Sequence, residues 1–208
     1  LLVRSFRNVL ARPLGFETAQ VATAEITLSA ARYRGDSASA LAYWNSLTES
    51  LRAAPGMQGA ALAGSVPLVS GNSGFIDVDG GFAPGAAAGY RIVSEGYFET
   101  LGIRFLRGRD FSSADAAQSP RVAIVNSQMA RRYWPNESPI GKRIRATSME
   151  PSSDGVPAPW ITIVGEVNDT RHFGHEQEFD AEMFVLYRQL PAWRLQSLTA
   201  IARGSGTN

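Results

Sequence analysis

Val122–Val125 (VAIV) is apolar at four consecutive positions, three of them β-branched. A strand with one face in water alternates apolar and polar residues. A strand that does not alternate has both faces covered. Ile161–Val167 (ITIVGEV) is a second segment of this kind. The chain must therefore build a sheet with a buried centre. Shorter extended segments are predicted at Phe75–Val78, Tyr90–Val93, Ile103–Leu106, Lys142–Ala146, Met183–Tyr187 and Leu198–Arg203. Helices are few and irregularly placed among them, so the predicted class is α+β and not a doubly wound parallel sheet.

The first third carries its own unit. Val21–Leu28 sets Val21, Thr23, Glu25 and Thr27 against Ala22, Ala24, Ile26 and Leu28, the pattern of a half-buried strand. Ser37 is placed to cap a helix with Leu41, Trp44, Leu47 and Leu51 on one stripe, ended by Pro55-Gly56. Gly59–Val66 is a second strand of small residues, completing a βαβ or split-βαβ unit. Further on, Glu95–Leu101 gives one or two helical turns stopped by Gly102. Ser127–Trp134 is a short helix ended at Pro135. Gly80–Gly89 and Glu150–Pro159 have the composition of loops. Trp44, Tyr97, Phe98, Tyr133 and Trp134 stand at core spacings. Phe75, Phe82, Trp160, Phe173 and Trp193 fall in loops and are candidates for a contact surface.

Composition removes several function classes. Among 208 residues, 20 Lys+Arg against 19 Asp+Glu leave a net charge of +1, with no basic field for nucleic acid. The absence of cysteine excludes disulfides, thiolate nucleophiles and Cys-ligated metal. No apolar run reaches the roughly 18–20 residues that span a bilayer. Leu1–Phe16 lacks the cleavage site and unbroken apolar centre of a signal peptide. It does place Leu2, Phe6, Val9 and Leu10 at helical spacing, with Arg4, Arg7 and Arg12 elsewhere on the wheel. Two readings stand: a packing helix, or the end of a longer helix rising from a membrane. The first residue is Leu rather than Met, which predicts a piece of a longer polypeptide.

No catalytic constellation emerges. His172 and His175, with Glu176, Glu178 and Asp180, have the residue types of a metal site. Such spacing is common in polar loops, and the expectation is a solvated loop without metal. Ser70, Ser73 and Ser94 lie near glycines, but G-x-S-x-G is absent. The stretches around Gly80-Gly81 and Gly96 match neither G-x-G-x-x-G nor a P-loop. Asp77-x-Asp79-Gly80 resembles the start of a calcium loop without its closing glutamate. Asp110 and Asp115 are isolated. The expected site list is empty for catalytic residues, cofactor ligands and metal ligands alike, and no cofactor is expected.

Three segments carry a resemblance. The first holds Gly96-Tyr97-Phe98-Glu99-Thr100-Leu101-Gly102-Ile103 and Gly108-Arg109-Asp110-Phe111. The second runs from Val122–Asn126 through Trp134-Pro135 to Pro139–Ile144. The third is Ile163–His172 (IVGEVNDTRH). In this order, with Leu1–Phe6 (LLVRSF) ahead of them, they resemble the periplasmic core domain of bacterial ABC-transporter permeases of the MacB type. The large duplicated permeases of acidobacteria are the nearest resemblance. Arg104 stands where that family usually has Pro. Glu166 stands where an apolar residue is usual, which predicts an exposed edge on that strand.

The resemblance implies two lobes: a porter-like βαβ lobe over 17–92 with 184–203, and a smaller inserted α/β (Sabre-like) lobe over 93–183. Residues 1–16 would be the end of a membrane-proximal helix. It implies an extracytoplasmic domain at the bacterial inner membrane, in efflux or mechanotransmission. That domain couples cytoplasmic ATP hydrolysis to conformational change and does no catalysis itself. Implied partners are a homodimer mate or paired permease half, the membrane through flanking helices, an ATPase module and, in some systems, a periplasmic adaptor protein. Glycines 96, 102, 108, 141 and 165 would be turn and packing positions. Two other readings stay open: an extracytoplasmic module binding a small molecule, peptide or lipid, and a metal-dependent enzyme centred on His172, His175 and Glu176.

Overall fold

The computed structural model describes residues 13–33, 35–69, 71–79, 85–147, 157–172 and 180–206. The proposed N-terminal helix, most of the Glu150–Pro159 loop, Phe82, Phe173, His175, Glu176 and Glu178 lie outside them. Among the described residues, the two non-alternating segments do sit mid-sheet. β7 (Val122–Asn126) is buried at every position and pairs in parallel with β9 (Ile161–Val167). β10 (Glu182–Leu186), buried throughout, lies on the other side of β7 and pairs in parallel with β5 (Ala87–Val93). β2 (Met57–Ala63), β11 (Ser197–Gly204) and β1 (Val21–Thr27) continue the sheet beyond β5. β8 (Arg143–Arg145) and β4 (Asp77–Val78) continue it beyond β9. The path is β1-β11-β2-β5-β10-β7-β9-β8-β4, with β3 (Asn72–Phe75) added on β5 and β6 (Phe105–Gly108) on β9. This mixed sheet with few helices is the expected α+β class.

β1 and β2 both pair antiparallel to β11, which lies between them, so the first unit is the split form of βαβ. After the single turn α1 (Ala30–Tyr33) comes α2 (Ser37–Ala53). Its cap is Asp36 rather than Ser37, because the Asp36 carboxylate accepts from the Ser39 N–H at 3.0 Å. Ala40, Trp44 and Thr48 form its buried line, with Leu41, Leu47 and Leu51 beside it. The Trp44 indole N–H donates to the Leu195 carbonyl at 2.9 Å, so its one polar atom is satisfied inside the core. α3 (Tyr97–Thr100) and α4 (Ser127–Tyr133) are short and end where Gly102 and Pro135 predict.

Other expectations shift. β1 is mostly exposed, because it is the sheet's outermost strand; only Val21 and Ile26 pack partly against the core. β5 begins at Ala87, inside the expected loop, because β3 pairs along Ala87–Gly89 on one side and β10 joins at Gly89 on the other. Small residues give no strand signal of their own, and pairing decides. The edge of β9 is covered, not exposed: β6 and β8 pair along it, and Glu166 is buried with Arg107 at 3.6 Å. That coverage needs glycine twice. A Cβ on Gly165 would lie 2.5 Å from the Arg109 carbonyl oxygen, and one on Gly108, at φ +72°, 2.2 Å from that of Val164.

Phe98 centres the aromatic core, its ring 5.0 Å from Phe184, 5.2 Å from Phe105 and 5.4 Å from Tyr97. Phe98→Ala is expected to cost about 3–5 kcal/mol of stability, read as a lowered urea midpoint at unchanged slope. A loss under ~1 kcal/mol would remove Phe98 from this central place.

Candidate functional site

The polar centre of the molecule is a charge pair inside the sheet. Arg91 on β5 and Glu182 on β10 meet at 2.5 Å, with side chains 0% and 1% exposed. Glu182 is opposite Gly89 in the parallel register, so Arg91 is its diagonal neighbour on the same face. The Arg91 guanidinium also donates to the carbonyls of Asn72 and Tyr90. Gly71 leaves room for it: a Cβ there would stand 2.5 Å from three guanidinium atoms.

The segments that carried the resemblance converge on this pair. Asn126, ending β7, accepts from Met129 N–H as the cap of α4 and from Glu182 N–H, and donates to the Asp180 carbonyl. Asp169 accepts from Gln128 N–H at the start of α4 and from Arg131 at 2.8 Å. Thr170 donates to Glu182 at 3.2 Å. His172 Nε2 stands 3.5 Å from the same carboxylate, with Phe184 beside its ring. Tyr97, fully buried, lies close enough for the charges of Glu182 and Arg91 to act on its hydroxyl. In the remaining motif, Arg109 grips Asp115 with two hydrogen bonds of 2.7 and 2.8 Å while Phe111 enters the core.

Electrostatics follows from burial. Desolvation pushes the Glu182 carboxyl up from 4.5 to about 7, against the pull of Arg91. Desolvation holds the His172 imidazole down from 6.5 to about 3, with the Arg91 charge adding to the effect. His172 is thus neutral, and neither ring nitrogen has a hydrogen-bond partner among the described residues. The expectation of a solvated loop at His172 is wrong. The residue precedes the polar run and turns into the core, where Phe184 and Glu182 enclose it.

The other candidates separate. Among the described residues, no three His, Asp or Glu side chains come together to hold a metal ion. Asp77 and Asp79 pair with Arg145 at 3.7 Å and Arg143 at 2.7 Å across β4 and β8. Ser94 accepts from Leu62 N–H and donates to the Glu95 carbonyl, a splice between β2 and β5 with no base beside it. Ser73 is exposed on β3 in a cleft of about 410 Å3 with Arg132 and Asp180. A second cleft, about 480 Å3, gathers Arg52, Glu95, Glu99 and Asp110. There burial, helped by Glu95 and Glu99, pushes Asp110 up to about 6. Of the loop aromatics, Phe75 and Trp193 are 65% and 58% exposed, while Trp160 is half-buried under Arg145.

Arg91 and Glu182 were missed in the sequence. Their signal was a charge within or beside an apolar strand, in GYRIV and EMFVL.

Glu182→Ala would leave the Arg91 charge buried and uncompensated, at an expected cost of about 3–5 kcal/mol. Replacing both by apolar residues of similar volume should cost far less, which a double-mutant cycle of urea midpoints checks. The pH dependence has two opposed parts. His172, depressed in the fold, contributes stability above pH 6.5 that is lost as pH falls toward 3. Glu182, raised in the fold, contributes stability below pH 4.5 that is lost as pH rises through 7. His172→Phe should therefore flatten the acid limb between pH 4.5 and 3, where His172 alone of these two still changes the balance.

A family model for the MacB-like periplasmic core domain matches residues 10–205. The crystal structure of the periplasmic region of MacB from Actinobacillus actinomycetemcomitans is similar at a TM-score of 0.56 and 17% identity, covering 97% of this chain and 82% of that one. The extracellular domain of the noncanonic ABC-type transporter YknZ from Gram-positive bacteria reaches a TM-score of 0.49 at 17% identity, over 77% of this chain and 72% of that one. No curated protein matches. At such identities the first structural likeness speaks for the fold alone. No helix among the described residues is long and apolar enough to cross a membrane. The family match, spanning nearly the whole chain, settles what the convergent motifs belong to: the chain is a member of the MacB-like periplasmic core domain family, an extracytoplasmic domain of ABC transporter permeases.

Proposed function

We propose that this domain couples cytoplasmic ATP hydrolysis to conformational change outside the membrane, in efflux or mechanotransmission, and performs no chemistry itself. The observation that carries the reading is the way its sheet is joined. β5 and β10 share a five-residue register, and β11 and β2 a six-residue one, whereas β2 meets β5 through one residue pair, Ala63 and Val93. Two backbone bonds flank it, Gly64 N–H to the Ile92 carbonyl and Ser94 N–H to the Leu62 carbonyl. Two firm sections meeting along a narrow seam suit a lever, which needs stiff bodies and a place to flex.

The two-lobe division, expected as 17–92 with 184–203 against 93–183, enters this proposal with its boundary moved. We draw the flexing line between β2 and β5, which assigns β5 and all of β10 to the body of the insert. The ATPase module, the membrane helices and a paired permease half or homodimer mate would drive the lever. A periplasmic adaptor protein would receive its motion in systems that have one. The alternative, an extracytoplasmic module for a small molecule, peptide or lipid, draws support from the two open clefts. Native mass spectrometry retaining a bound compound would favour it.

The flanking bonds make Ala63 and Val93 a non-hydrogen-bonded antiparallel pair, with Cα atoms about 4.5 Å apart, within disulfide reach. The chain has no other cysteine. In the full-length transporter reconstituted in vesicles, Ala63→Cys with Val93→Cys should lower transport when oxidised and restore it on reduction. Equal transport in both states, with the disulfide verified by mass, would overturn the coupling role of this seam.

A further inference from the structure

β1 ends the sheet with its outer side unpaired among the described residues, and its alternation fixes which groups point outward. Gly204 N–H donates to the Gln20 carbonyl and Leu28 N–H to the Gln196 carbonyl. Both belong to the register in which Val21 faces Arg203 and Thr27 faces Ser197. Hydrogen-bonded pairs alternate along an antiparallel ladder, so Ala22, Ala24 and Ile26 bond inward to β11. Thr23, Glu25 and Thr27 turn their N–H and C=O groups outward. Val21 N–H is taken by the Thr18 carbonyl at 3.4 Å.

Proteins usually blunt such an edge with Lys, Pro, a bulge or a cover. Among the described residues β1 has none of these: VATAEIT carries one charge, Glu25, and the register with β11 is unbroken over all seven residues. Its side chains are exposed at Ala22, Thr23, Ala24, Glu25 and Thr27. The apolar row of Ile26, Ala24 and Ala22 continues that of Leu198, Ala200 and Ala202 on β11. Ile26 is half-buried against the core, while Ala24 and Ala22 carry the row out into solvent with no polar border.

We propose that the outer edge of β1 is a strand-addition site for a second copy of this chain, pairing antiparallel about a two-fold axis through Ala24. The strand is complementary to itself in that register alone. Val21 then faces Thr27, Ala22 faces Ile26, and Thr23 faces Glu25, so all seven residues pair and no like charges meet. The outward groups of Thr23 and Glu25 exchange hydrogen bonds, while Ala24 meets its own copy in a non-hydrogen-bonded pair. An axis through Glu25 sets carboxylate against carboxylate, which is destabilising. An axis through Thr23 pairs fewer residues. The proposal stands on the edge geometry and does not require the coupling role.

The test uses the purified 208-residue chain. Sedimentation should show a concentration-dependent dimer. Thr23→Pro removes an outward donor without touching the β11 ladder, and should weaken the dimer about tenfold or more. Its circular dichroism and thermal midpoint should stay unchanged. Ala24→Cys should form a disulfide-linked dimer on mild oxidation, because the two Cα atoms would lie about 4.5 Å apart. Ala22→Cys should not, since it faces Ile26 and stands about 14 Å from its own copy. A chain that stays monomeric at every concentration overturns the proposal. So does a dimer indifferent to folded Thr23→Pro, or equal cross-linking at positions 22 and 24.

Discussion

The Arg91–Glu182 pair is the interaction on which the rest of the arrangement turns. Two charges inside a sheet lose their hydration, and their mutual attraction offsets that loss only with close contact and with partners for the remaining polar atoms. Here the contact is 2.5 Å, and the partners come from Asn72, Tyr90 and Thr170. Each partner holds a different segment: β3, β5 and the stretch after β9. Asn126 adds β7 and α4 by bonding Glu182 N–H. A one-residue slip of β10 against β5 would send Glu182 to the opposite face and leave Arg91 without its carboxylate. The pair is thus a register lock, specifying one strand alignment where apolar residues would accept several.

The same reasoning gives motifs rich in Gly, Asn, Asp and His a structural task. Asn126 and Asp169 both serve the first turn of α4, a helix too short to hold itself by propensity. Arg109 and Asp115 tie the loop after β6 so that Phe111 can reach Phe98. Gly165 and Gly108 let β6 lie against β9 at distances that a Cβ would forbid. These residue types also build active sites, because both tasks need fixed polar geometry. Here that geometry is used within the fold: the Thr170 hydroxyl donates to Glu182, which Arg91 already holds, and His172, with Nε2 3.5 Å from the same carboxylate, makes no hydrogen bond among the described residues.

What could be seen in the sequence follows the strength of local signals. The non-alternating segments at Val122–Val125 and Ile161–Val167 located the buried strands, since their pattern is set by having both faces covered. Trp44, Phe98 and the glycine stops were visible for similar reasons. Ala87–Gly89 was invisible, because small residues acquire strand structure only from neighbours far along the chain. The alternation in β1 was real, but alternation does not say whether anything covers the apolar face. Glu166 pointed to an exposed edge, yet an arginine on β6 and two pairing strands bury it. His172 was judged by its polar neighbours downstream, whereas its place is decided by a strand 12 residues removed at Phe184, across the sheet.

Taken together, the hydrogen-bonding capacity of this sheet is spent unevenly along its path. From β5 to β9 every strand has neighbours on both sides, and even the side chains of Arg91, Asn126 and Glu182 are drawn into the ladder's support. At β1 the backbone offers groups that nothing among the described residues accepts. The coupling role proposed above would require the sheet to deform where the fewest backbone bonds must change. In this sheet that place is the narrow β2–β5 seam, since shearing β5 against β10 would break the buried charge pair. Movement across the seam would carry β1 with β11 and β2 as one body, because their long registers resist slipping. In that proposal the free edge sits on the section that would move as a unit, where a paired strand would feel displacement at the seam without having to bend.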